Sequence, residues 1–181
     1  NPLHASAELV FGRERVAAMA QSEGIDRTLQ ELEAAHLIDW PNAARAKLQL
    51  LRALFGTFLE RPDDDCRLHL DFAGFRADGG SRLLQHAVFE TLHAAQNADG
   101  AGDWRQWSAD LRDPGSAAVS VFAASHEQEV MFHCFLQWVA DRSLRAAQRR
   151  AVESGMRIGL IGDLAVGMDP AGSHAWSRQG E

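Results

Sequence analysis

The chain has 181 residues, of which 46% are hydrophobic and 24% charged, and its formal net charge is −7. That length suits one domain and buries roughly 70% of the unfolded surface, so a full core is within reach. The acidic balance excludes a general nucleic-acid surface, which requires basic patches. No apolar run approaches the roughly 18 residues of a membrane span, and no signal-peptide pattern is visible. Cys66 and Cys134 lie far apart, so a disulfide framework is not indicated and the setting reads as cytosolic.

In chain order, residues 5–22 read as a weakly amphipathic helix with Ser6 at its start and Gly12 as an internal weakness. Ser22-Glu23-Gly24 is a break, and Asp26 is placed to cap a helix over 27–35. Asp39 caps the next helix, with Pro41 in the first turn, where a missing amide costs nothing. Its expected buried stripe is Ala44, Leu48, Leu51, Phe55 and Phe58 at 3–4 spacing. Pro62 and Asp63-Asp64-Asp65 end it as a solvated turn. Residues 67–78 form a further helix with Leu68, Phe72 and Phe75 on one side; Gly79-Gly80 breaks it, and Ser81 caps another to Ala95. Asn97 to Asp103 is a polar loop, Trp104 and Trp107 belong to a short helix or turn, and Asp113-Pro114-Gly115 is a turn. A short Ala/Val helix over 116–124 follows.

The chain is organised around residues 125–163. Ser125 and Gln128 fit a capping box opening a helix over 125–154. Val130, Met131, Phe132, Cys134, Phe135, Leu136, Trp138 and Val139 give it an apolar girdle buried on most sides. Over 142–150, Arg and Gln alternate with Ala and Leu144, so only one face is buried. Gly155 suits the left-handed stop of a helix. Arg157-Ile158-Gly159-Leu160-Ile161-Gly162-Asp163 reads as a short strand of the kind buried in a parallel sheet, with Asp163 at its carboxyl end. The chain after Asp163 is loop-like, with a helical turn near Trp176.

These stretches carry a resemblance. Phe132-His133-x-Phe135-Leu136-Gln137-Trp138-x-Ala140-Asp141-Arg142, Gly155-Met156-Arg157-Ile158-Gly159-Leu160, Gly162-Asp163-Leu164-Ala165-Val166-Gly167 and Ala175-Trp176 are similar to the 4-α-glucanotransferases, the amylomaltases of glycoside hydrolase family 77. Leu37-Ile38-Asp39-Trp40-Pro41, Lys47-Leu48-x-x-Leu51-Arg52-x-Leu54-Phe55 and His86-Ala87-Val88-Phe89-Glu90-x-Leu92 match the bacterial form. The matches run in one order over 37–176, and Asn1-Pro2-Leu3 extends them.

The resemblance implies a mainly α-helical piece of a (β/α)8 TIM-barrel enzyme several hundred residues long. Residues 1–124 would be a helical insertion, and 125–181 a barrel helix, strand and following loop. It implies transfer of α-1,4-glucan segments between maltodextrins through a retaining double displacement, in starch and glycogen metabolism, with no cofactor and no metal. In retaining enzymes two carboxyl groups sit roughly 5–5.5 Å apart. The family's nucleophile, acid/base and third-aspartate motifs do not occur here; Ile25-Asp26-Arg27 is only an echo, so no catalytic residue is assigned.

Asp163 is the candidate substrate-binding residue. Its place at a strand end beside Gly162 suits chemistry, and the alternative from spacing alone is a helix cap or loop carboxylate. The resemblance aligns it with a position near the sugar before the scissile bond. His126-Glu127-Gln128-Glu129 begins like a zinc-protease helix, but Val130 stands where the second ligand belongs. His133 and Cys134 are adjacent on a helix and face different ways, which favours core or edge roles. Gly159-x-x-Gly162 lies within the strand rather than after it, so it is not a dinucleotide loop. Of Trp40, Trp104, Trp107, Trp138 and Trp176, any could stack on a sugar; Trp138 reads as core, and Trp104 and Trp107 as either exposed or core. A strand at 157–163 without neighbours would pair with a second copy of the chain or lie irregularly on the helical body. Two other readings remain: a different sugar-acting barrel enzyme, and a helical interaction module.

Overall fold

Helix follows helix along the chain. The computed structural model describes residues 2–61, 65–98, 102–163 and 167–180, and among them no strand is present. The longer helices are α1 (Ala7–Phe11), α2 (Arg13–Ser22), α3 (Asp26–Ala34), α4 (Trp40–Glu60) and α5 (Cys66–Ala98). They continue as α6 (Ala109–Arg112), α7 (Ala117–Ser125), α8 (Glu127–Glu153) and α9 (Ser173–Ser177). Two compact units emerge: Asn1–Phe72 with Phe135–Ile161, and Ala73–Cys134 with Gly162–Glu181. Asn1, residues 62–64 of the acidic turn, residues 99–101 of the polar loop, and Leu164-Ala165-Val166 of the family motif lie outside the described residues.

In the first unit, Gly12 at φ 83° divides the expected 5–22 helix into α1 and α2. Ser6 does not cap with its side chain; its backbone N–H donates instead to Ser143 Oγ at 2.7 Å. The Ser143 hydroxyl in turn donates to Val139 O, so a buried polar group on α8 is satisfied on both sides. Helix α2 ends in a Schellman motif: Gly24, at φ 67°, donates to Gln21 O and Ile25 to Ala20 O. Ile25 is buried and takes the cap position of α3, so Asp26 is the first helical residue rather than the cap.

Asp39 does cap α4: its carboxylate accepts from Asn42 N–H, with Pro41 in the first turn. The buried face is Ala46, Leu50, Leu51, Leu54, Phe55 and Phe58, while the expected Ala44 and Leu48 are half-buried at its edge. The face is set by tertiary packing, since α2 and α3 lie against α4. Phe11, Phe55, Phe58, Phe72, Phe135 and Trp138 then form one aromatic core, with ring centroids 5.0–6.1 Å apart. Burial of each such ring stabilises by roughly 1.5–3 kcal/mol, and the edge and offset contacts add to that.

The break at Gly79-Gly80 falls where expected: Gly80 is non-helical at φ 51°, ψ −141°, so α5 consists of two helices that meet at a kink there. In the second unit Ala87, Val88, Phe89 and Leu92 of α5 pack with Trp107, Val119 and Trp176 as buried residues. Trp176 Nε1 donates to Leu111 O at 3.0 Å and Trp104 Nε1 to Pro170 O at 3.0 Å, which fix two tryptophans by their polar edges. Ser116 caps α7 by accepting from Val119 N–H.

The Ser125–Gln128 capping box does not form. Ser125 is the last residue of α7, and its hydroxyl donates back to Phe122 O; α8 begins only at Glu127. The girdle itself is as expected: Val130, Phe132, Cys134, Phe135, Leu136, Trp138 and Val139 are buried and Met131 half-buried. Leu144, expected on a buried face, is exposed.

The largest correction concerns residues 157–163, which form no strand. Helix α8 stops in a second Schellman motif, Gly155 (φ 92°) donating to Val152 O and Met156 to Ala151 O. The chain then folds back, and the Gln148 side chain holds it. Gln148 Nε2 donates to Ile158 O at 3.2 Å, and Leu160 N–H donates to Gln148 Oε1 at 2.6 Å. Gly159, at φ 81°, lies between those two bonds, where a Cβ would meet the Gln148 amide at 2.5 Å. A carboxamide thus replaces the backbone partner that a strand would need, and the positive φ is incompatible with regular extension.

Candidate functional site

Asp163 terminates this folded-back segment and is exposed. The sequence pattern placed it at a strand end; instead it follows irregular backbone in which Ile158 is 72% and Ile161 82% exposed. Gly162 leaves open space beside it.

The other candidates separate clearly. Trp138 and Trp176 are fully buried, and Trp107, which the sequence left open, is core at 3% exposure. Trp104 is half-buried, with its indole N–H engaged by Pro170, and Trp40 is exposed. His126 is exposed, stacks on Phe122 and shares Nδ1 with Phe122 O and Ser125 Oγ. Cys134 is buried, which pushes its thiol above the usual range and makes it an inert core residue. Cys66 is exposed, and both cysteines are free. Among the described residues no group of three or more His, Cys, Asp or Glu side chains could hold a metal ion. No helix among them is long and apolar enough to cross a membrane.

Two constellations escaped the sequence reading. The first is Asp71 on α5. Trp138 Nε1 donates to its Oδ2 at 2.8 Å, Arg142 Nε to Oδ2 at 2.5 Å and Arg142 Nη2 to Oδ1 at 2.7 Å. Arg142 also reaches Asp141, which pairs with Arg145. Partial burial raises the Asp71 carboxyl, but hydrogen bonds from Arg142 and Trp138 outweigh it and hold the group below the ordinary carboxylate value. The Trp138-x-Ala140-Asp141-Arg142 motif is therefore a lock: residues i and i+4 of α8 share one face and grip one carboxylate. An aspartate seventy positions upstream gives no local signal of this role.

The second is His86. Its Nδ1 lies 2.9 Å from Ser173 Oγ and 3.8 Å from Glu90. Burial lowers its pKa, against the pull of Glu90 in the other direction, so the ring is neutral near pH 7. Because serine and glutamate both face the same ring nitrogen, the arrangement is no proton relay of the nucleophilic type, which needs the two nitrogens to be engaged separately.

A family model described as 4-alpha-glucanotransferase, glycoside hydrolase family 77, matches residues 1–181. The chain is 34% identical over 150 residues to a 4-alpha-glucanotransferase of Mycobacterium tuberculosis, which covers 83% of this chain and 20% of that protein. A 4-alpha-glucanotransferase of Haemophilus influenzae is 26% identical over 161 residues, covering 86% of this chain and 23% of its own length. One from Thermus thermophilus is 29% identical over 132 residues, covering 73% and 25% respectively. The chain thus spans about one fifth to one quarter of the length of these curated relatives. With a match over its full length and relatives of one name, the chain belongs to the glycoside hydrolase 77 family of 4-alpha-glucanotransferases.

Proposed function

We propose that the whole protein transfers α-1,4-glucan segments from one maltodextrin to another in the cytoplasm, within starch and glycogen metabolism. The family match over residues 1–181 carries this reading. In the retaining chemistry expected of such an enzyme, a carboxylate displaces the leaving glucan and a second carboxyl group protonates it. The covalent glycosyl-enzyme is then opened by a sugar hydroxyl instead of water. Neither step calls for a cofactor. The catalytic carboxylates belong to other parts of the enzyme, since the family's motifs for them are absent from this sequence.

In that enzyme, residues 1–124 serve as a helical insertion on a (β/α)8 barrel, and 125–181 as a barrel helix with the segment after it. Asp163 contacts the glucan at its exposed position. Full-length protein incubated with maltotriose should give longer oligomers together with glucose, and Asp163→Asn should lower kcat/KM by roughly 10- to 100-fold, the loss expected when a charged hydrogen-bond acceptor is removed. Products no longer than the substrate would point to a hydrolase and sink the transfer reading. Residues 1–181 alone should release no glucose from maltotriose; release by this piece would overturn the assignment of the carboxylates elsewhere.

The exposed Ile158, Leu160 and Ile161 support a partner role for 157–163. Apolar edges of this kind associate with other chains. Residues 1–181 should therefore self-associate through this segment, with a mass in light scattering that rises with concentration and falls back for Ile158→Lys/Ile161→Lys. A strict monomer at high concentration, with amides 157–163 strongly protected from exchange, would count decisively against it.

A further inference from the structure

A small cavity of about 110 Å³ lies between the second half of α5 and α9, inside the second unit. Arg82, Gln85 and His86 line it from α5, at the i, i+3, i+4 spacing that puts three side chains on one face. Ser173, His174 and Ser177 line it from α9, and Arg178 from the position just after that helix. The His86–Ser173 hydrogen bond ties the two walls together, so the cavity is built rather than a gap between loose segments. None of its lining residues is acidic or apolar. That composition stands out in a chain with net charge −7.

Two guanidinium groups, two hydroxyls and a carboxamide converging on one small space present hydrogen-bond donors at several angles. Guanidinium forks match tetrahedral oxyanions bidentately, and hydroxyl donors satisfy the remaining oxygens. A neutral glucan would need broad apolar faces for its rings, and the rings lining this cavity are the polar imidazoles of His86 and His174. For a cation the lining supplies no carboxylate, and Glu90, 3.8 Å from His86 Nδ1, is not part of it. From this juxtaposition we propose that the cavity between Arg82, Gln85 and His86 on α5 and Ser173, Ser177 and Arg178 at α9 and its C-terminal cap binds a phosphoryl group, either orthophosphate or the head of a phosphate monoester. His86 orients Ser173, and the arginines supply the charge.

Amide spectra of the chain titrated with inorganic phosphate test this, against sodium chloride at equal ionic strength. Saturable shifts are expected at Gln85, Ser173 and Ser177, absent with chloride. Arg82 is exposed, so Arg82→Gln leaves the fold intact, and it should weaken binding roughly tenfold or more as one charge-assisted contact is lost. Arg149→Gln, on exposed α8 surface of the other unit, should leave the affinity unchanged. A parallel titration with glycerol 3-phosphate separates the sources: tighter binding than orthophosphate identifies a monoester site, and weaker binding a free-phosphate site. Shifts that chloride reproduces, that do not saturate, or that persist at full affinity in Arg82→Gln would overturn the proposal. Because the readout is phosphate binding by this chain, it stands or falls independently of glucan transfer.

Discussion

Replacing Trp138 by alanine should lower the stability of the first unit by roughly 3–5 kcal/mol, the usual range for a large aromatic deleted from a core. The indole has no exposed surface and touches Phe11, Phe58, Phe72 and Phe135 within 6.1 Å between ring centroids. Its loss leaves a void walled by rings from α1, α4, α5 and α8, none of which can move inward without losing its own neighbours. The substitution also removes the N–H that Asp71 accepts. Trp138→Phe separates the two effects, because it keeps most of the ring and removes the donor, at a cost of about 1–2 kcal/mol. Asp71 is partly exposed, so Asp71→Ala alone belongs at or below that range. Urea denaturation of the single variants and of Trp138→Phe/Asp71→Ala gives the coupling between the two residues. A midpoint that Trp138→Ala leaves unmoved would mean that the aromatic cluster is not packed as described.

The girdle of α8 was legible because eight apolar residues in ten positions leave no face for solvent, whatever the surroundings. The cap at Asp39 and the stop at Gly155 were legible for a similar reason: each rests on bonds within four or five residues. What the sequence hid depends on distant partners. Ser6 looked like a cap, but a serine 137 positions away takes its N–H. Ala44 and Leu48 looked central to the α4 stripe, but where the packing face of α4 lies depends on how α2 and α3 dock. Trp107 in a polar stretch could have gone either way until Phe89 and Trp176 enclosed it.

Residues 157–163 show the limit most plainly. Ile158, Leu160 and Ile161 make a short apolar run of the kind a buried parallel strand has, yet a strand is a property of a pair, not of one segment. With no second strand among the described residues, the backbone at Ile158 and Leu160 bonds to the Gln148 carboxamide instead. The same logic bears on the family motifs. Trp138 and Arg142 lie in the densest stretch of the resemblance, and both are occupied in gripping Asp71. Ala87, Val88, Phe89 and Leu92 of the His86 motif are all core. Family identity was readable here from residues that hold the fold, whereas Asp163, the candidate for substrate contact, lies on exposed backbone.

Trp176→Ala should have an effect as large as Trp138→Ala, roughly 3–5 kcal/mol, but confined to the second unit. Trp176 is fully buried, 5.7 Å from Phe89 and 6.4 Å from Trp107 between centroids, and its Nε1 donates to Leu111 O. Helix α9 has only five residues, far below the length at which a helix is stable in isolation. Its persistence therefore rests on side chains that dock it, and Trp176 is its one buried residue. Removing the indole takes away the anchor and leaves the Leu111 carbonyl without its donor. Residues 173–180 should then detach before anything else unfolds. Amides over 173–177 should lose exchange protection, and the His86–Ser173 hydrogen bond should open, exposing His86 to water. The His86 pKa should rise toward its ordinary value as the burial that depresses it is relieved. Protection around Trp138 and Val139 should be unchanged, because neither residue shares a neighbour with Trp176 in the aromatic contacts of the core. Equal loss of protection in both regions would mean that the two units unfold as one, and retained protection at 173–177 would mean that Trp176 does not anchor α9.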